Sequence, residues 1–202
     1  MSSIPQLTGG RALEHGIGML VDHGRGAGAK MYVGGQAATK TAASTALTNT
    51  TTETALDSLA IPAKSLVAGS TIRVRSMGIV TAQNSTDTLK IYLSLGKTSV
   101  ALASREEVLA TTAVDAAVSD VFYIDALIQI RTIGTSGTAV AMIDFQDPDA
   151  VTTATKRSLK ASFTVDTTVE QTLSVSGEWS VANAGNSCRS DIFCVDIVNP
   201  ST

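Results

Sequence analysis

Few side chains in this sequence carry reactive or metal-binding chemistry, and they are scattered. Cys188 and Cys194 are the whole thiol supply. They are expected to be buried free thiols, since unbridged cysteine is among the most buried residue types. A bridge between them needs a short loop to fold back on itself, and the spacing alone leaves that open. His15 and His23 are the only histidines and stand among glycines. That spacing fits no zinc motif, so both read as loop residues and a structural zinc lacks its ligands. Asp144, Asp147 and Asp149 cluster in Asp144-Phe145-Gln146-Asp147-Pro148-Asp149 and offer oxygen to a Ca²⁺. The EF-hand spacing and its turn glycine are missing, and Asp-Pro-Asp after an apolar strand is what a turn requires. The turn reading outweighs calcium, and ion binding there stays open. Gly24 to Lys30 looks like a phosphate cradle, but Lys30 follows Ala29 and precedes Met31, so the P-loop pattern fails. Eighteen acidic residues always allow some glycosidase-like pair, so a pair carries no information. One tryptophan and three tyrosines give little surface for sugar stacking. No nucleophile–base set emerges, and a non-enzymatic protein without metal or cofactor is expected.

Ala, Thr, Ser and Gly together make 91 of the 202 residues, while charged residues are 16% and hydrophobic ones 44%. That is too apolar and too weakly charged for a disordered chain. No apolar run is long enough to span a bilayer, so no membrane partner is expected. The start, Met1-Ser2-Ser3-Ile4-Pro5-Gln6, lacks a basic region followed by an apolar stretch, so no secretory signal is expected. The Asn49-Thr50-Thr51 and Asn84-Ser85-Thr86 acceptor patterns then carry no weight. A net charge of −3 argues against nucleic acid.

These side chains must be positioned by two unlike parts. Nine of the sixteen glycines fall in the first 35 positions, and a Thr/Ala-rich tract from Thr39 to Glu53 follows. Glycine-rich sequence without periodicity cannot bury enough apolar surface to fold alone. Residues 1–53 therefore read as an extended N-terminal arm, and 54–202 as the folded domain. The arm is mildly basic, and its spaced apolar groups suit ordering on another subunit. Met19, Leu20, Arg25, Met31 and Tyr32 are its candidate contacts. A chain beginning at Thr51 is expected to fold without it.

From residue 54 the apolar period becomes two, the signature of half-buried strands. Leu89, Ile91, Leu93 and Leu95 share a face, as do Phe122, Ile124, Ala126, Ile128 and Ile130. Leu159, Ala161, Phe163 and Val165 repeat the pattern, and so do Leu173, Val175, Gly177, Trp179 and Val181. In Thr71–Thr81 the phase is expected to slip at Ser76-Met77-Gly78, as at a β-bulge. Further strands are predicted at Ala55–Ile61, Ser99–Ala103, Thr138–Phe145 and Asp191–Val198, with Gly134-Thr135-Ser136-Gly137 as a hairpin turn. Arg105–Asp120 also fits a short helix. The whole predicts an all-β antiparallel β-sandwich, with jelly roll the preferred topology.

Three stretches carry a resemblance. One is Leu59-Ala60-Ile61-Pro62-Ala63, then Gly69 and the strand Thr71-Ile72-Arg73-Val74-Arg75; another is Phe122 to Gly137. The third is Glu178-Trp179-Ser180 with Asn183-Ala184-Gly185-Asn186-Ser187 and the last strand. Over residues 54–199 the chain resembles the jelly-roll virion structural proteins of tailed bacteriophages, found in head decoration and tail-fibre regions. The resemblance implies a capsid decoration (cement) protein on the outer capsid surface of the virion. It further implies a homotrimer bound to the major capsid protein. Its alternative is a trimeric tail-fibre or receptor-binding module that recognises host surface glycans. Arg73 and Arg75 alternate with Ile72 and Val74, face outward, and are candidate partner contacts.

Overall fold

The computed structural model describes residues 19–22, 30–33, 36–84, 86–149 and 155–200. Its strands are β1 (Met19–Asp22), β2 (Lys30–Val33), β3 (Gln36–Thr39), β4 (Leu47–Thr48), β5 (Thr54–Ile61), β6 (Thr71–Ala82) and β7 (Thr88–Lys97). A 3-10 turn at Leu102–Ser104 precedes β8 (Glu106–Ala110), β9 (Val114–Asp115), β10 (Val121–Thr132), β11 (Gly137–Gln146), β12 (Lys156–Val165), β13 (Gln171–Trp179) and β14 (Ser187–Val198). β1 and β2 form a two-stranded ribbon. The larger sheet runs β12-β11-β10-β6-β14-β3, with β4 also on β14; the smaller runs β5-β13-β7-β8, with β9 also on β7. All pairings are antiparallel. The two sheets pack as a sandwich.

The chain wraps in jelly-roll fashion. β6 lies beside β14 and β7 beside β13, so early strands pair with late ones, and the β10–β11 hairpin sits inside that nesting. At one open side β8 and β12 approach, and Lys160 meets Glu106 at 2.9 Å. The predicted alternation fills the interior: Ile72, Val74, Leu89, Ile91, Leu93, Leu95, Phe122, Ile124, Ile128, Ile130, Leu173, Val175 and Trp179 are all buried. The Trp179 indole N–H donates to the Leu47 carbonyl at 3.3 Å. The predicted β10–β11 turn closes at Gly134, whose φ of 114° favours glycine, and Gly137 N–H donates to its carbonyl.

Several local expectations are corrected. β6 keeps its phase, with Ser76 and Gly78 at inward positions between Val74 and Val80. Gly78 makes room for Phe122, whose ring lies 2.2 Å from where a Gly78 Cβ would sit. The irregularity falls on the facing strand instead, between Ser190 and Ile192. On β12, Phe163 and Val165 face the core, but Leu159 and Ala161 are exposed. A register shift opposite Ala139/Ala141 reverses the alternation, turning Lys160 toward Glu106. Val181 lies beyond the end of β13 and is exposed. Ser99–Ala103 is not a strand, because the chain closes the 3-10 turn there. The helix-compatible stretch forms β8 and β9, since the β7 edge needs ladder partners; Thr111 takes both a backbone and a side-chain bond with Ile91. Its β-branched Val108, Thr111, Thr112 and Val114 also disfavour helix.

The arm differs as well. Within 1–53, residues 36–39 and 47–48 pair with β14. Leu47 enters the core, and Lys40 makes a buried ion pair with Asp57 at 2.6 Å while donating to the Ser190 carbonyl at 3.0 Å. The segment from Gln36 onward is thus built into the sandwich, joining β5 of one sheet to β14 of the other.

Candidate interaction surface

Antiparallel register sets which outward side chains are neighbours on the large sheet. Leu159 stands opposite Met142, Met142 opposite Leu127, and Leu127 opposite Arg73, giving one row across four strands. The next row runs Arg157, Asp144, Asp125, Arg75, Cys194. A further row brings Tyr123 opposite Met77 and Met77 opposite Ile192. The face therefore reads as an apolar stripe, a charged ladder, and a second apolar patch.

The charges of the ladder pair with one another. Arg157 donates from Nε and Nη2 to the two Asp144 oxygens at 2.6 and 2.8 Å. That fork, ahead of any other influence, holds the Asp144 carboxyl below its usual range. Arg75 Nε donates to Asp125 Oδ2 at 3.0 Å, and Arg73 Nε lies 3.8 Å from Asp125 Oδ1. The Tyr123 hydroxyl also donates to Asp125 Oδ2 at 3.2 Å. Burial first, then the Asp125 charge, pushes the Tyr123 phenol above its usual range. Two guanidiniums thus share one carboxylate, and both remain about half exposed (51% and 54%). Beside them a hollow of about 440 Å³ is lined by Arg75, Ser76, Met77, Tyr123, Ile192 and Cys194.

Ten large apolar side chains of the described residues are exposed, and six of them (Met77, Leu127, Met142, Leu159, Ile192, Val198) lie on the outward side of this one sheet. Scattered exposed apolar residues are ordinary, but a continuous row such as Leu159, Met142 and Leu127, bordered by charged groups, marks an interaction surface.

Of the residues singled out in the sequence, Arg73 and Arg75 belong to this face. Met19 and Leu20 on β1 and Met31 and Tyr32 on β2 are brought into one ribbon, with Leu20 opposite Tyr32 and Val21 opposite Met31. Arg25, His15, His23 and most of the Gly24–Lys30 stretch lie outside the described residues. Asp144 is taken by Arg157 and Asp147 by Lys156. Among the described residues no three His, Cys, Asp or Glu side chains come together to hold a metal ion. Both cysteines are free: Cys188 is buried, and Cys194 is half-buried on the outward face. The residues missed by sequence reasoning are the apolar ones of the face. Leu127 sits at the outward phase of β10, where a polar residue is the rule, and that mismatch was a readable signal. Leu159 carried no such signal, because its orientation depends on the register shift in β12. The chain matches no family model, no curated protein and no solved structure.

Proposed function

We propose that this protein is a non-enzymatic structural subunit of a tailed-phage virion, a decoration (cement) protein that binds the major capsid protein on the outside of the head. The observation that carries the reading is the concentration of exposed apolar side chains on the outward side of the larger sheet, beside guanidiniums only partly neutralised by Asp125. Such a stripe suits lateral docking of a rigid domain, with Leu127, Met142 and Leu159 as the buried contacts. Arg73 and Arg75 then face acidic groups of the partner at the rim, where charge sets orientation more than affinity. The resemblance over residues 54–199 supplies the virion context.

A second reading is favoured by a cleft of about 290 Å³ whose lining mixes Leu95 and Val100 with Lys97, Arg105, Asp166 and Gln171, of a size to hold a sugar ring. It corresponds to a tail-fibre module that recognises surface glycans. The test is quantitative mass spectrometry of purified virions together with rebinding of purified protein to heads that lack it. Copies comparable in number to the capsid subunits, and saturable rebinding, are expected. Copies matching the tail alone favour the second reading, and absence from the particle overturns both.

A further inference from the structure

The outward side of the smaller sheet should be wet, yet its hydroxyl-bearing floor is buried. Ser94, Ser174 and Ser176 are all nearly inaccessible, although they point away from the core. The 3-10 turn and Arg105 cover them on one side and Glu53 on the other. Arg105 donates from Nη1 to Ser174 Oγ at 2.9 Å and from Nε to the Val100 carbonyl. Ser176 Oγ donates to Glu53 Oε1 at 2.6 Å, and the Tyr92 hydroxyl donates to Glu178 Oε2 at 2.8 Å. Beside these contacts lies a partly open cavity of about 60 Å³ lined by Glu53, Tyr92, Ser94, Arg105 and Glu107 among others. Ser94 is 3% exposed, and its Oγ has no hydrogen-bond partner among the described residues. An unsatisfied buried hydroxyl is destabilising, so natural folds rarely leave one without a partner.

The surrounding charge selects the missing partner. Glu53 and Glu107 at the cavity and Glu178 beside it stand against two cations: Arg105, already engaged by Ser174 and Val100, and Lys90, whose ammonium lies 5.6 Å from the Tyr92 ring centroid and opposite Glu178 in the ladder. Glu107 stands directly opposite Ser94 in the β7–β8 ladder. Burial, followed by the hydrogen bond to Glu178 and the charges of Glu178, Glu53 and Glu107, holds the Tyr92 phenol well above its ordinary range. The local field is therefore negative, short of one cation, and its polar groups present oxygen acceptors. A bare divalent ion is not matched, since no three acidic or metal-ligating side chains converge among the described residues.

We infer that this cavity is a binding site for a primary ammonium group, with Ser94 Oγ, Glu53 and Glu107 accepting its three N–H bonds. The source is either a small free amine or the head of a partner's lysine side chain. The site lies on the sheet opposite the apolar stripe and does not depend on the virion reading.

The experiment is an NMR titration of the full chain with methylammonium chloride at constant ionic strength, following the Ser94 and Glu107 amides. Saturable shifts are expected, and Ser94→Ala and Glu107→Gln should each weaken binding by about tenfold, the usual worth of a hydrogen bond to a charged group. Ser94→Ala removes only an unpartnered hydroxyl and Glu107 is exposed, so both variants keep the fold. Tetramethylammonium, bulkier and without N–H donors, should give no shift. N-acetyl-lysine amide distinguishes the sources: binding equal to methylammonium supports a lysine head, and exclusion supports a free amine. Absence of saturation by ~100 mM, far weaker than a specific site, overturns the inference. So does an equal response to tetramethylammonium or to potassium chloride.

Discussion

Cys188 and Cys194 lie on one strand but in unlike surroundings. Burial pushes the Cys188 thiol up to about 12, so its reactive thiolate is scarce at neutral pH. Cys194 is half-buried on the outward face, 4.0 Å from Thr39 Oγ1. Iodoacetamide at mild alkaline pH should therefore modify Cys194 in the native protein and Cys188 only on unfolding, as read by peptide mapping. Equal labelling of both would mean that β14 opens readily. Asp166 supplies a second residue-scale prediction. Its Oδ1 accepts from the Thr168 backbone N–H at 3.0 Å and hydroxyl at 2.5 Å, and its Oδ2 from Lys97 at 2.9 Å. The Thr168 hydroxyl bond first, then Lys97, lowers its pKa. A lowered folded-state pKa means that the unfolded chain takes up the proton first as pH falls. The stabilisation is then complete above the ordinary aspartate range and is lost as pH drops through the folded value. Urea midpoints measured from pH 6 down to pH 3 should fall less steeply for Asp166→Asn than for the parent, and parallel curves would rule out this linkage.

At the scale of elements, the two halves of β12 make opposite predictions. Phe163→Ala removes a core ring and should cost about 3–5 kcal/mol, whereas Leu159→Ser, at an exposed position, should change stability by less than about 0.5 kcal/mol. Urea denaturation of both variants checks the register shift directly, because an unshifted strand would put Leu159 on the same buried face as Phe163 and make both costly. The same strand shows what was legible. Where a strand pairs in regular register, as β7 does with β13 and β10 with β6, the apolar period named the inward face residue by residue. In β12 the faces depend on one extra residue opposite β11, a property of the pair that no single strand's sequence contains. β6 misled in the other direction: Ser76 and Gly78 looked like a break, when both hold the inward phase and Phe122 from the neighbouring strand required Gly78 to lack a side chain. Leu47 was hidden for a related reason, since one leucine in a Thr/Ala tract has no period to betray it. Its role now alters the expected truncation. A chain starting at Thr51 would lose Leu47 from above Trp179 and leave Asp57 without Lys40. Breaking a buried pair from one side costs about 3–5 kcal/mol, so Lys40→Met alone should lower the urea midpoint sharply. A chain starting at Gln36 should keep it.

Over the whole molecule, the two sheets present different exteriors. The smaller sheet covers its outward hydroxyls with its own loop and carries the ammonium-sized cavity. The larger leaves Leu127, Met142 and Leu159 in a row beside Arg73 and Arg75 that is exposed among the described residues. Nothing in the fold needs these three to be apolar, because the core is complete beneath them with Ala126, Ile128, Ala141 and Ile143. Their apolar character is therefore expected to serve contact with another molecule. A triple variant, Leu127→Ser, Met142→Ser and Leu159→Ser, should keep the parent's thermal midpoint nearly unchanged, as exposed substitutions do. It should nonetheless lose attachment to heads lacking the native protein. Each buried leucine or methionine side chain contributes about 1.5–3 kcal/mol on burial, so losing all three should weaken attachment by at least about a hundredfold. Arg73→Ala with Arg75→Ala should act differently, slowing association and flattening its salt dependence while leaving dissociation near that of the parent. A chain starting at Gln36 separates face from arm: if it attaches like the full chain, the sheet carries the binding, and if it alone fails, residues 1–35 do. Should the triple variant attach as tightly as the parent, the apolar row is not the contact and the docking model of the larger sheet is wrong.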